Sequence, residues 1–232
     1  MKRIVIILIS VFAAVLLAPR QDALAGRGDK SGTAGASELL IPVGGRTTAL
    51  GGASLATTSG IEAMFWNPAG LVRSARPFQA MFSHTSYLAD IGVDYVALSD
   101  ALTDDMTLGV NLKSLSVGDI PVTTEDMPDG TGEVTSPTYI VLGTTFARRV
   151  SDKISMGLSA SYVYEKMARV SASTVAFTGG VQYQGLGGID GLAVGVVVRN
   201  IGPKIKYDGA GLCPLRNRSK IQFFKILPWG EK

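Results

Sequence analysis

His84 is the one histidine in the chain and Cys213 the one cysteine, and together they limit the chemistry the sequence can offer. A histidine base needs a nucleophile and an orienting group beside it. His84 instead lies in Phe82-Ser83-His84-Thr85-Ser86, a stretch of alternating character that reads as strand, so a wall position is expected. A single cysteine excludes an intramolecular disulfide; a reactive thiol is the alternative, but Cys213 lies in a tail unlike the rest of the chain. Glu125, Asp126, Asp129 and Glu133 offer oxygen ligands of the kind calcium takes. Their spacing fits no calcium loop and Pro128 interrupts them, so a solvated loop is the expectation. No Cys/His cluster has zinc spacing. No glycine run is followed by Gly-Lys-Ser/Thr, and Gly185-Leu186-Gly187-Gly188 falls in a turn between strands rather than before a helix. The sequence therefore predicts no catalytic, cofactor-binding or metal-binding residue, and a protein that is not an enzyme.

The elements that carry these residues begin after an export signal. Lys2 and Arg3 precede an apolar run from Ile4 to Ala18, and Ala23-Leu24-Ala25 supplies a small-x-small cleavage site before Gly26. A membrane anchor is the competing reading, but the run falls short of the roughly 20 residues a spanning helix needs. Residues 1–25 are expected to be a cleaved signal peptide. A lipoprotein would need cysteine where Gly26 stands. The net charge of +3 comes from the two ends: Gly26 to Asp208 holds 14 basic and 17 acidic residues, so no basic stripe for nucleic acid is left.

Residues 26–76 are rich in glycine, alanine, serine and threonine without strict alternation, and read as a compact plug of turns and short helices. Ser59 and Glu62 have capping-box spacing, which predicts a helix over 60–66. Pro68 pushes Asn67 out of helical space and should end it there. From Pro77 onward the period changes to two. Met106, Leu108, Val110 and Leu112 alternate with Thr107, Gly109, Asn111 and Lys113, and Met156, Leu158, Ala160 and Tyr162 alternate with Gly157, Ser159, Ser161 and Val163. Seven strands are expected, at 77–87, 91–99, 106–117, 138–149, 154–166, 172–184 and 192–201.

Several of these run ten residues or more, the length of a membrane strand rather than of the usual five or six residues in globular sheets. Their non-apolar face is mostly glycine, serine, threonine and glutamine, which suits a wet lumen. Turns near 100–105, 149–153 and 185–191 are short, whereas Gly118 to Pro137 forms a long loop on the opposite side, expected to be extracellular. Charged residues make up 18% of the chain against about 25% in soluble domains, which favours an outer surface facing lipid. A secreted β-sandwich has the same alternation with shorter strands and stays open as the soluble alternative.

Trp66-Asn67-Pro68-Ala69-Gly70-Leu71, with Gly44-Gly45-Arg46 and Ala49-Leu50-Gly51-Gly52-Ala53, resembles the N-terminal signature of the PorV/PorQ family of outer-membrane proteins, distant relatives of the FadL-type transporters. The resemblance is strong over about 32–71, and the later strands, ending in Arg199-Asn200-Ile201-Gly202-Pro203, agree in character. It implies an all-β fold: an antiparallel transmembrane β-barrel of FadL-like type, 14-stranded, with an N-terminal plug. It implies a place in the outer membrane and a role in type IX protein secretion or surface attachment, with secretion components or secreted proteins as partners. The alternative it carries is a channel for hydrophobic small molecules. A soluble secreted binding protein remains as a third reading. Within the motif Trp66, Asn67, Pro68, Ala69 and Gly70, Asn67 has two roles open: a hydrogen-bonded helix-stop turn, or contact with a ligand.

Seven strands are half of that expected barrel. After Gly211 the alternation stops, and Cys213-Pro214-Leu215-Arg216-Asn217-Arg218 reads as unrelated sequence, giving 77–208 as wall and 209–232 as an aberrant tail. The expectation is a truncated or frame-shifted product, which resequencing the locus would test. An open sheet in lipid leaves two edges of unpaired backbone groups, each costing several kcal/mol, so closure or pairing of those edges is required.

Overall fold

The computed structural model describes residues 35–87 and 91–209. The expected signal and all but the first residue of the expected tail, Cys213 included, lie outside them.

The period-two segments form one antiparallel sheet. Its long strands are β1 (Phe78–Ser86), β2 (Gly92–Thr103), β3 (Met106–Ser116), β6 (Thr138–Arg149), β7 (Ile154–Met167), β8 (Val170–Gln184) and β9 (Ala193–Ile201). They pair in the order β1-β2-β3-β6-β7-β8, with β9 on the free side of β8. All seven expected strands are present. β2 runs on to Thr103, past its expected end at 99: Ala101 N–H donates to the Pro77 carbonyl (2.9 Å) and Asp100 pairs with Phe78, so polar Ser99-Asp100 is strand rather than turn. Two features escaped the sequence. The long loop carries a small hairpin of β4 (Ile120–Pro121) and β5 (Val134–Thr135). Beyond a break at Gly202–Lys206, β10 (Tyr207–Gly209) returns to the same side of β8 that β9 occupies, pairing with Val170–Ala172.

The alternation sorts the side chains cleanly. On β7, Met156, Leu158, Ala160 and Tyr162 are exposed, while Ser155, Gly157, Val163 and Glu165 are buried. On β3, Leu108, Val110 and Leu112 are exposed while Thr107, Gly109 and Lys113 are buried. Phe82, Val96, Leu98, Leu142, Phe146, Phe177, Val181, Val194 and Val196 extend the same exposed apolar face over the neighbouring strands. This face is the opposite of what water selects, since the small and polar residues are the ones turned inward.

The sheet is open. With every pairing antiparallel, β1, β3, β7 and β9 run one way and β2, β6 and β8 the other, so the two edge strands β1 and β9 point in the same direction. They cannot pair antiparallel with each other. The turns 104–105, 150–153 and 185–192 lie at one end of the sheet; the 117–137 loop and the two-residue turn Ala168-Arg169 lie at the other.

The N-terminal segment lies against the inner face as short helices and turns: Ser37–Leu40, Gly45–Ala49, Gly60–Glu62, Ala63–Trp66 and Pro68–Arg73. Val43, Met64, Leu71 and Val72 from this segment pack with Tyr95 and Ala97 of β2 and Ala147 of β6 in one apolar core. The expected helix over 60–66 forms, but as a 3-10 turn leading into a short α-helix, and the Ser59 side chain makes no cap bond. Glu62 is turned elsewhere, accepting from Thr47 Oγ1 at 3.0 Å, so the capping box does not close. Ser59→Ala is therefore expected to change stability by less than about 0.5 kcal/mol in equilibrium unfolding, against about 1 kcal/mol for loss of a working cap.

Candidate functional site

Asn67 is extended, at φ −151° and ψ 104°, as the following proline requires, and the chain re-enters a 3-10 helix at Pro68. Its amide then closes the turn and reaches the wall. Oδ1 accepts from Ala69 N–H (3.2 Å); Nδ2 donates to the Leu55 carbonyl (2.8 Å) and lies 3.4 Å from the Val181 carbonyl of β8. The side chain is 0% exposed, so the amide has no surface to offer a soluble ligand. Of the two roles open for Asn67, the geometry supplies the turn. Removing a buried amide strands its partners. Asn67→Ala is expected to cost about 2 kcal/mol, read as a lower urea midpoint in detergent.

The motif can come this close because the wall has no side chains beneath it. Gly157 of β7 lies directly opposite Gly180 of β8, and Gln182 of β8 lies opposite Gly195 of β9. A Cβ on Gly157 would run into the Pro68 carbonyl and the Ala69 nitrogen, and one on Gly180 into Asn67 Oδ1. A Cβ on Gly195 would stand 2.5 Å from the Leu55 carbonyl oxygen, and one on Gly109 2.7 Å from Met64 Sδ. These glycines are seats for the N-terminal segment, for its backbone at Gly157 and Gly195 and for the Asn67 and Met64 side chains at Gly180 and Gly109. Gly70 within the motif has the same need, since its Cβ would meet the Thr58 carbonyl.

Side chains at the rim of the seats bolt the segment down. Gln182 Nε2 donates to the carbonyls of Thr58 (2.8 Å) and Leu55 (3.0 Å), and Gln184 Nε2 to that of Ala56 (3.0 Å). Arg73 donates to Ser155 Oγ (2.8 Å) and the Lys153 carbonyl (2.9 Å), while Arg149 donates to the Val72 carbonyl (3.1 Å). Burial first, then the nearby Arg149 guanidinium, lowers the pKa of Arg73. Trp66 Nε1 donates to the Val43 carbonyl (2.9 Å) and its ring stands edge-on to Phe65, 5.2 Å between centroids. Arg199 lies 4.5 Å from the Phe65 centroid, with Lys113 5.0 Å from it. So all five motif residues, Trp66, Asn67, Pro68, Ala69 and Gly70, are buried in the contact between segment and wall.

Toward the loop end, a second set of buried groups holds the segment's beginning. Lys113 Nζ donates to the carbonyls of Glu38 (2.7 Å) and Ile41 (2.6 Å), and Ala36 N–H donates to Glu165 Oε1 (2.9 Å). No local pattern marks this set, because its members are scattered over the chain and none belongs to the motif. His84 stands apart on the outer face, opposite Asp94 in register with Nδ1 2.7 Å from Oδ1. Glu125, Asp126, Asp129 and Glu133 lie exposed in the long loop. A groove of about 500 Å³ opens between the segment and β1, lined by Ser59, Gly60, Arg73, Arg76 and Gln79 among others.

The arrangement fixes an irregular segment to one face of a sheet and leaves the other face apolar. A scan against family models matches residues 25–217 to the one described as Type IX secretion system protein PorV. None of the curated proteins matches the chain.

Proposed function

The chain belongs to the PorV family of type IX secretion system proteins, and from that membership we propose that it is a non-enzymatic wall element of the outer membrane, serving the secretion of proteins or their attachment to the cell surface. The observation that carries the membrane part is the exposed apolar face. On β8 it runs from exposed Val175 through Phe177 and Val181 to half-buried Tyr183, nine residues, or about 27 Å between the ends at about 3.4 Å per step of antiparallel strand. Nine residues is within the roughly 9–11 that a tilted membrane strand needs. Outer-membrane lipid is then the first partner, and secretion components or secreted proteins meet the loop end.

Two further points belong to this reading. Residues 1–25 direct export and are cleaved, so the mature protein begins at Gly26; N-terminal sequencing of the membrane-extracted protein tests this. The wall closes only when an odd number of further strands fills the gap between β1 and β9, because both edges point the same way. Passage of hydrophobic small molecules has less behind it: the groove beside β1 has arginines and polar groups in its lining, and the inner face is occupied by the N-terminal segment.

The test is genetic. Deleting the gene should leave secreted proteins inside the cell envelope, and the wild-type gene should restore their appearance at the surface. Normal secretion by the deletion strain would refute the proposal.

A further inference from the structure

We propose that Gly35–Ile41 is a strap across the loop end of the inner face, lying over the buried carboxyl groups of Glu38 and Glu165, and that it stays closed only while Glu38 is uncharged. Three contacts hold the strap, and a fourth, from Tyr207, steadies Glu165. Glu165 Oε1 takes the Ala36 N–H, Glu165 Oε2 takes the Tyr207 hydroxyl, and Lys113 Nζ reaches the Glu38 and Ile41 carbonyls. Ala36 is kept left-handed at φ 59°, ψ 38°, a conformation a residue with a Cβ keeps only where its surroundings impose it. The strap is therefore clamped, and the clamp is polar.

The charges in the clamp do not balance. Glu38 is 4% exposed and Glu165 3%, with Lys113 also 4% exposed. The lysine gives two of its three protons to backbone carbonyls of the strap rather than to a carboxylate. Glu38 Oε1 is buried with no hydrogen-bond partner among the described residues. An ionised carboxylate in that position would be unpaired in a dry site, whereas a protonated one is tolerated. The other groups facing it are Tyr139 of β6 and Tyr207 of β10, with Arg199 of β9 beyond Lys113. None is a second cation in contact with the pair.

Burial pushes the Glu38 carboxyl up to about 7, helped by the nearby Glu165 carboxyl and opposed by its own backbone N–H and Lys113. The folded value lies above the free value of 4.5, so the contribution to strap closure is complete below about pH 4.5 and is lost as pH rises through about 7. Above that, Glu38 carries a charge in a buried site where its Oε1 has no partner among the described residues. The strap lets go of Glu165, and Lys113 and Arg199 become open to the interior.

Hydrogen exchange of the intact protein in detergent, corrected for the intrinsic pH dependence of exchange, tests this. Between about pH 5.5 and pH 8.5, protection of the Ala36, Leu39 and Ile41 amides should fall about tenfold or more. The Asn67 and Gly70 amides, bonded to the Ala63 and Asn67 carbonyls, should keep theirs. Glu38→Gln should hold the strap protected at both pH values, and Glu165→Ala should leave it unprotected at both. Equal protection of the wild-type strap at the two pH values would overturn the proposal, and so would a pH response that survives in Glu38→Gln. The wild-type comparison needs no variant to fold.

Discussion

Gly157→Leu is expected to expel the Asn67–Ala69 backbone from its seat and to destabilise the protein by about 3 kcal/mol or more, at the top of the range for overpacking. The obstacle is main chain, not a side chain that can swing aside: a Cβ at this position already meets the Pro68 carbonyl and the Ala69 nitrogen. Ser155, two residues away on the same inner face, holds Arg73, so displacement at Gly157 also strains that bond. Limited proteolysis should show cleavage within 55–73 in the variant and none in the wild type under the same conditions. Gly157→Ala is expected to give the same cleavage more slowly.

Leu158→Arg, one residue further on, should fail for the opposite reason. Leu158 is 68% exposed and makes part of the outer apolar face, between Met156 and Ala160. In water this substitution would be harmless or helpful, because it replaces exposed leucine with a charge. Against lipid it costs about 2–4 kcal/mol near the bilayer midplane. The expected result is less protein recovered in the outer-membrane fraction and a lower unfolding midpoint in lipid, with segment 55–73 still protected when folded protein is isolated. Two neighbouring positions thus report on two solvents: Gly157 on packed protein, Leu158 on lipid.

The strands were readable because one rule, alternation, acts on every residue of a wall. Strand ends were less so: Ser99-Asp100 has turn chemistry, yet the Pro77 carbonyl and Phe78 keep that stretch in the ladder. The meaning of the inner face was misread in part. Gly157, Gly180 and Gly195 look like the small residues of a wet lumen, and in the structure they are small because the N-terminal segment lies on them, backbone over Gly157 and Gly195 and the Asn67 amide over Gly180. Nothing local distinguishes those cases. Pro68 foretold the extended Asn67, since that effect acts on the adjacent residue; it could not foretell that the Leu55 carbonyl would collect both Asn67 and Gln182. The failed cap at Ser59 has the same origin: Glu62 had a better partner in Thr47, which the spacing of 59 and 62 cannot reveal. The Ala36–Glu165 bond joins residues 129 positions apart and carries no local signature.

The central claim is that β7 separates lipid from packed protein, residue by residue. Spin labels placed singly at 156 through 163, in a Cys213→Ser background and in lipid vesicles, test it most directly. Collision with oxygen, which concentrates in lipid, should peak at 156, 158, 160 and 162 and fall at the positions between, while a water-soluble nickel reagent reaches none of the four. Nickel collisions at 156, 158, 160 and 162 equal to those at an exposed loop site such as 129 would contradict it, and the face described as membrane-facing would belong to a soluble protein.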